Sequence, residues 1–411
     1  MMDHAGSKAL IYDTMFSEAA SMVKKELTNV TTIIGFGDNI PDYALSYEEL
    51  VEKSANGEPN EEIDEENAYY MNLTSGTTGL PKSYFLTHYN NAGGIIDVTT
   101  MFRVTKDDVI LTVFPMFGRV GYAWSAAEIY NGAKNVIVNF DPKIVLELIS
   151  SEKVTISNWV PAMANFILSI PELETYDMSS LRALVFAGAV FPSAMQTAVK
   201  EHLCPNIYEF YGLQETGMII NADLDDKEKS QGSIGKTSPW ADVRIIDAFG
   251  NDVPSGTVGE IIARALSATS AYFKNEEQTK ETFKDGWVYT GDLGYVDEEG
   301  YIFLSGRTKD MIVTGGQNVF SVEVENVLMT HPSVADCSVI GLPDDTWGEA
   351  VTAVIVRNPE EKISEGEIIA YYKGKIAGFK VPKRIIWMEG KLPRTPTGKV
   401  QKYMLVEEFT T

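Results

Sequence analysis

The stretch Leu73-Thr74-Ser75-Gly76-Thr77-Thr78-Gly79-Leu80-Pro81-Lys82 follows an apolar run, Tyr69 to Leu73, and concentrates hydroxyls, glycines and one cation. Glycine lets backbone N–H groups turn inward, hydroxyls add donors and Lys82 adds positive charge, so the segment suits a polyphosphate. It departs from the common phosphate-loop pattern, which needs Gly immediately before the Lys, where Pro81 stands. Connectors rich in Gly, Ser and Thr are frequent, but the order of these residues is more specific than their composition. Further segments join strand-like runs to residue types suited to ligand chemistry: Ala187-Gly188-Ala189-Val190, Tyr208 to Gly217 with Glu215 and Thr216, Trp287 to Gly294 with Asp292, and Ser305 to Ile312 with Arg307 and Lys309. Leu392 to Val400 places Lys399 near the C-terminus. Taken singly, each has an ordinary reading as a turn, an exposed carboxylate or a tail lysine.

The elements that must position these groups follow from hydrophobic period. From Val109 to Gly212, β-rich runs alternate with amphipathic stretches, the pattern of a parallel sheet covered by helices. The expected strands are Val109 to Phe114, Asn135 to Phe140, Thr155 to Val160, Leu181 to Ala187 and Ile207 to Tyr211. The expected helices are Tyr122 to Tyr130, Pro142 to Ser151, Pro161 to Ile170 and Pro192 to His202, several opening on a Pro suited to a first turn. From Gly232 the texture changes to short strands broken by Gly and Pro, which predicts a small antiparallel or barrel-like unit with a hairpin turning at Asp297 to Gly300. Beyond Lys309 a separate α+β lobe is expected, with helices at Ser321 to Thr330 and Ser364 to Ile376 and strands at Ala335 to Ile340, Val351 to Arg357 and Arg384 to Met388. The fold class is therefore α/β, divided into a large lobe at 1–308 and a smaller one at 309–411. The acidic stretch Asn56 to Asn67 reads as a solvated loop.

Composition narrows the function. The 411 residues carry 34 Lys plus Arg against 58 Asp plus Glu, a net charge of −24, and such a field repels nucleic acid in bulk. Cys204 and Cys337 lie far apart with no Cys or His at metal-ligand spacing, so neither a disulfide framework nor a zinc site is expected. No apolar run approaches the length that spans a bilayer. A cytoplasmic protein without integral membrane association is expected.

Together and in this order, the motifs resemble those of the acyl-adenylate-forming superfamily, which includes acyl-CoA synthetases, adenylation domains of peptide synthetases and luciferases. The resemblance runs from the N-terminal region to near Gln401. It implies ATP and Mg²⁺, with coenzyme A as co-substrate, and it implies roles for individual residues. Thr74, Ser75, Gly76, Thr77, Thr78, Gly79 and Lys82 would hold the phosphates, while Gly188, Ala189, Tyr211 and Gly212 would line the adenine. Thr216 would contact the α-phosphate and Glu215 would hold the metal, in keeping with the preference of Mg²⁺ for few carboxylates plus phosphate oxygens. Asp292 would accept from the ribose diol, for which a carboxylate offers several lone pairs, and Arg307 would reach the nucleotide. Lys309 falls at the family's hinge, Gly315 and Gly316 would border the pantetheine tunnel, and Lys399 would neutralise charge during adenylation. Lys373, Lys375, Lys380 and Lys383 are candidates for the phosphates of CoA, with a solvated helix face as the plainer reading of each.

Two departures accompany the resemblance. The family pattern extends N-terminal to the region resembled by Lys8 to Leu27, whereas this sequence begins almost inside it, so a shortened first lobe is expected. In Phe114-Pro115-Met116-Phe117-Gly118-Arg119, Gly118 stands where many relatives carry a ring that gates the acyl pocket. Glycine should leave that space open, and Arg119 beside it either attracts a substrate carboxylate or faces solvent. Gly118, Tyr122, Trp159 and Met218 are the expected pocket, with Trp124, Phe186 and Ile219 as further candidates. The implied activity is an acid–thiol ligase forming an acyl-CoA from a medium- or long-chain fatty or aryl acid; a homodimer is compatible with it. A nucleotide- or adenylate-binding protein without turnover, a luciferase-type oxidase and an enzyme loading a carrier protein are the alternatives, the last disfavoured because acidic carriers meet a surface of like sign. Lys399→Ala is expected to depress adenylate formation far more than thioester formation from supplied acyl-AMP, measured as separate half-reactions; equal losses would contradict the assignment.

Overall fold

The computed structural model describes residues 2–74, 82–189, 191–358, 363–394 and 400–410. The chain divides into two compact units, Met1–Ile63 and Asp64–Thr411, a division the sequence pattern does not announce. The first holds a short parallel sheet of Ala9–Asp13, Thr32–Phe36 and Leu45–Ser46, with Tyr12, Ala20 and Ile33 at its core. The acidic stretch 56–67 is exposed and carries neither helix nor strand.

The second unit is built on a seven-stranded sheet. Its spatial order is Lys236–Thr237, Gly217–Ala222, Ile207–Leu213, Ala183–Phe186, Ile156–Trp159, Val109–Thr112 and Lys134–Ile137. The strands from Ile207–Leu213 to Lys134–Ile137 are parallel, and Gly217–Ala222 returns antiparallel. Helices Arg119–Asn131, Pro142–Glu152, Pro161–Leu168 and Ser193–His202 connect them, so the helical and strand periods read from the sequence locate these elements to within a few residues. Local chemistry sets their ends. Asp141 caps the N-terminus of Pro142–Glu152 through two N–H donors, and Gly132 at φ 66° closes Arg119–Asn131 in the left-handed conformation.

Alternation along the strands sorts the core into two layers. Leu111, Trp159, Leu184, Phe186 and Ile207 point into one cluster, whereas Ile110, Ile156, Ala183 and Val185 point into another with Phe102, Trp124 and Met218. A five-stranded antiparallel unit follows, containing Ala241–Ile246, Gly259–Ala265, Trp287–Val296, Phe283–Lys284 and Ile302–Arg307. The last sheet holds Gln317–Phe320, Met311–Thr314, Gly348–Arg357, Val334–Asp344 and Arg384–Trp387. Thr308–Asp310, a single 3₁₀ turn, joins these two sheets.

The N-terminal ends of three adjacent parallel strands are stapled together. Asp108, just before Val109–Thr112, accepts from Arg182 Nε at 2.7 Å and Nη2 at 2.9 Å, from the Thr155 hydroxyl at 2.7 Å and from the Thr105 N–H at 2.8 Å. Burial opposes the Asp108 charge, but these donors hold its pKa down to about 2. Because unfolded aspartate titrates near pH ~3.9, the contribution of Asp108 is complete above that range and is lost as pH falls toward 2. Asp108→Asn is expected to cost about 2–3 kcal/mol at pH 7, with a smaller deficit at pH 3 by denaturant unfolding; an unchanged deficit would contradict this origin.

Candidate active site

The predicted chemistry gathers at the ends of strands opposite that staple, where open α/β sheets place their ligands. Thr74 and Lys82 are register partners in an antiparallel pair, Ala68–Thr74 with Lys82–Thr87, which forms its own two-stranded sheet. The run after Tyr69 thus belongs to a hairpin, in contrast to the strand-to-helix setting of a common phosphate loop. Ser75, Gly76, Thr77, Thr78 and Gly79 lie outside the described residues, as do Val190 and Lys399. Gly188 and Ala189 follow Ala183–Phe186 and are exposed; Gly188 has φ 84°, which glycine alone adopts without strain.

Tyr211 and Gly212 end Ile207–Leu213, and Gln214 to Thr216 form the tight turn into Gly217–Ala222. A Cβ on Gly212 would collide with the Gly217 carbonyl, so glycine here is required by the hairpin itself. The Tyr211 hydroxyl donates to Asp292 Oδ2 at 2.5 Å, and Arg307 Nε donates to Asp292 Oδ1 at 2.6 Å. Asp292 and Arg307 are cross-strand partners in the antiparallel unit. One buried carboxylate therefore joins the central sheet to that unit. Burial and the Asp292 charge push the Tyr211 phenol well above its usual range, which keeps it a donor. For Arg307, burial disfavours the charge but Asp292 outweighs it and raises the pKa. Lys309 is next to this pair on the 3₁₀ turn, and burial lowers its pKa despite the support of Asp310.

The turn carrying Glu215 is held from several sides. The Tyr272 hydroxyl donates to Glu215 Oε1 at 2.6 Å, and the Tyr84 hydroxyl donates to Gln214 Oε1 at 2.8 Å. Lys82 Nζ lies 4.7 Å from the centre of the Tyr272 ring. Burial and the Glu215 carboxylate raise the Tyr272 pKa, so the phenol remains protonated. The sequence pattern misses Tyr84, Gln214 and Tyr272, because their partners are distant in the chain and no local period marks them.

Thr216 is turned inward. It is 0% exposed, and its hydroxyl accepts from the Leu213 N–H at 3.0 Å and donates to the Gly217 carbonyl at 2.9 Å. That hydroxyl is spent on shaping its own turn. Arg119 follows neither of its two expected readings. At 7% exposure it is closed to both solvent and a substrate carboxylate, and its guanidinium donates to the backbone carbonyls of Gln214 and Ser267. Ser267 Oγ lies 2.8 Å from Asp97 Oδ2, and burial pushes the Asp97 carboxyl up to about 7.

Of the expected acyl-pocket residues, Trp159 stands apart from the others. Trp159 is 0% exposed, donates to Ser157 Oγ at 2.8 Å and packs in the cluster opposite the one that holds Met218 and Trp124. Tyr122 stacks on Tyr70 with centroids 4.8 Å apart. Gly118 precedes Arg119–Asn131, and a Cβ there would meet only the Pro115 carbonyl oxygen, at 3.3 Å.

Gly315 and Gly316, at φ 56° and 75°, form the two-residue turn between Met311–Thr314 and Gln317–Phe320, a conformation that itself demands glycine. Of the candidate lysines, Lys380 pairs with Glu323 at 2.6 Å and Lys375 lies over the Tyr371 ring, while Lys373 and Lys383 are exposed. Among the described residues no group of three His, Cys, Asp or Glu side chains could hold a metal. A lone carboxylate such as Glu215 suits Mg²⁺ when phosphate oxygens and water complete the octahedron.

The chain matches the family model described as AMP-binding enzyme over residues 1–273, and that of the AMP-binding enzyme C-terminal domain over 323–399. It is 32% identical over 375 residues to an indoleacetate–CoA ligase of Aromatoleum aromaticum, spanning 90% of this chain and 73% of that one. A long-chain-fatty-acid–CoA ligase of Mycobacterium tuberculosis is 31% identical over 420 residues, spanning 100% and 80%. Among solved structures, ATP-bound MatB from Rhodopseudomonas palustris superposes with a TM-score of 0.88 at 28% identity, over 100% of this chain and 80% of that one. The O-succinylbenzoate coenzyme A synthetase of Bacillus subtilis, in complex with ATP and a magnesium ion, gives 0.82 at 27%, over 98% and 80%. The chain is an enzyme of the AMP-binding family.

Proposed function

We propose that this protein is an ATP-dependent acid–thiol ligase that makes an acyl-CoA from a fatty or aryl acid by way of an acyl-AMP. The observation that carries the reading is the convergence of Lys82, Glu215, Asp292 and Arg307, from four separate segments, on strand ends tied by Tyr211 and Tyr272. The identity to curated acyl- and aryl-acid CoA ligases supports it.

A carboxylate is a poor acceptor for a thiol, because its leaving group would be oxide. Its oxygen first attacks the α-phosphorus of ATP, and the bond to pyrophosphate breaks. The thiol of CoA then attacks the acyl carbon and AMP departs with the bonding pair. In this reading Lys82 and the residues before it hold the phosphates, Gly188, Ala189 and the Tyr211 ring border the adenine, and Asp292 accepts from the ribose. Glu215 would hold Mg²⁺, whose charge would offset that of the phosphates. Thr216 shapes the Glu215 turn, and Lys399 neutralises charge in the first step. Residues 309–411 turn about Lys309 between steps and bring Gly315 and Gly316 to the thiol arm, with the whole at work in the cytoplasm. The protein's contribution is placement and charge neutralisation.

The tail of the acid is uncharged in this reading, because Arg119, the cation beside the acyl loop, is spent on two backbone carbonyls. A panel of carboxylic acids should show acid-dependent pyrophosphate release with apolar fatty or aryl acids, and added CoA should yield the thioester. ATP binding without acid-dependent pyrophosphate release would favour a binding protein, and thioester on a carrier protein but not on CoA would favour carrier loading.

A further inference from the structure

Lys82 and Glu215 come from different motifs, and each reaches the same side chain. Tyr272 donates its hydroxyl to Glu215 Oε1 at 2.6 Å and offers its ring face to Lys82 Nζ at 4.7 Å. The ring is fixed from behind: Tyr272 is 6% exposed, packs with Tyr84 and Leu86, and meets Phe283 edge-on with centroids 5.3 Å apart. Its backbone is fixed as well, since Tyr84 and Tyr272 form an antiparallel bridge and the Phe273 N–H donates to the Ser83 carbonyl at 2.7 Å.

We propose that Tyr272 is a positioning residue that holds the Glu215 carboxylate and the Lys82 ammonium apart as a preset pair for a metal-bound triphosphate. A direct Lys–Glu ion pair would neutralise both groups, and a ligand would have to break it. A neutral phenol placed between them orients the carboxylate by a charge-assisted hydrogen bond and the ammonium by the ring quadrupole, without cancelling either charge. Each group then keeps its charge for a different part of the ligand: the carboxylate for the cation, the ammonium for phosphate oxygen.

This inference rests on the ligase reading only insofar as that reading requires ATP and a divalent cation. The test uses the full chain and two binding measurements that need no turnover. Mn²⁺ binding in the presence of ATP is followed by electron paramagnetic resonance, and metal-free ATP binding in EDTA by calorimetry. Tyr272→Phe keeps the ring and removes the hydroxyl, so Mn²⁺ affinity should fall about tenfold while metal-free ATP affinity stays within about twofold. Tyr272→Leu removes the ring face too and should weaken both. Mn²⁺ affinity unchanged in Tyr272→Phe, or both affinities reduced in equal proportion, would overturn the role of Tyr272 and leave the ligase reading standing. A wild-type protein that binds ATP under neither condition would overturn both.

Discussion

The constraint on which the site depends is the burial of one carboxylate, Asp292, between a phenol and a guanidinium. At 6% exposure a carboxylate without partners would be costly, and Tyr211 and Arg307 each supply a donor to a separate oxygen. Because Tyr211 ends a strand of the central sheet and Arg307 belongs to the antiparallel unit, the ion pair and hydrogen bond also fix how those two layers meet. The carboxylate is supported through its neighbours: Thr290 accepts the Asp292 N–H at 3.0 Å and donates to the Ile261 carbonyl at 2.6 Å. Geometry around Asp292 is thereby tied to the packing of two sheets rather than to a loop.

A second cross-link does similar work at Arg119. Arg119 opens the helix that follows Phe114 to Gly118, yet its guanidinium is committed to the carbonyls of Gln214, in the Glu215 turn, and of Ser267. A buried cation costs several kcal/mol unless its donors are used, so on the order of that much is lost when either side shifts. The segment around Gly118 and the turn carrying Glu215 are consequently tied to each other through one side chain.

Much of this was legible in the sequence, and the parts that were not share a cause. Strand and helix positions from Val109 to His202 follow from period alone, because each element buries a face. The motif residues Lys82, Glu215, Asp292 and Arg307 announce themselves by order and spacing. Arg119 did not, because a cation next to a loop looks the same whether it faces solvent or a pair of carbonyls more than ninety residues on. The local setting of Thr216 and of the pocket candidates was hidden for a related reason: hydroxyl bonding within a turn, and the face to which Trp159 or Met218 points, are settled by register and by a one-residue hairpin irregularity at Tyr211/Gly212.

The strict alternation of the parallel strands has an evolutionary corollary. Neighbouring residues such as Ile110 and Leu111, or Leu184 and Val185, serve different layers, so a lineage can remodel the layer shared with the Arg119–Asn131 helix while leaving the opposite scaffold untouched. Replacements confined to one layer then leave the packing of the other intact, although the two sets of positions interleave along the same strands.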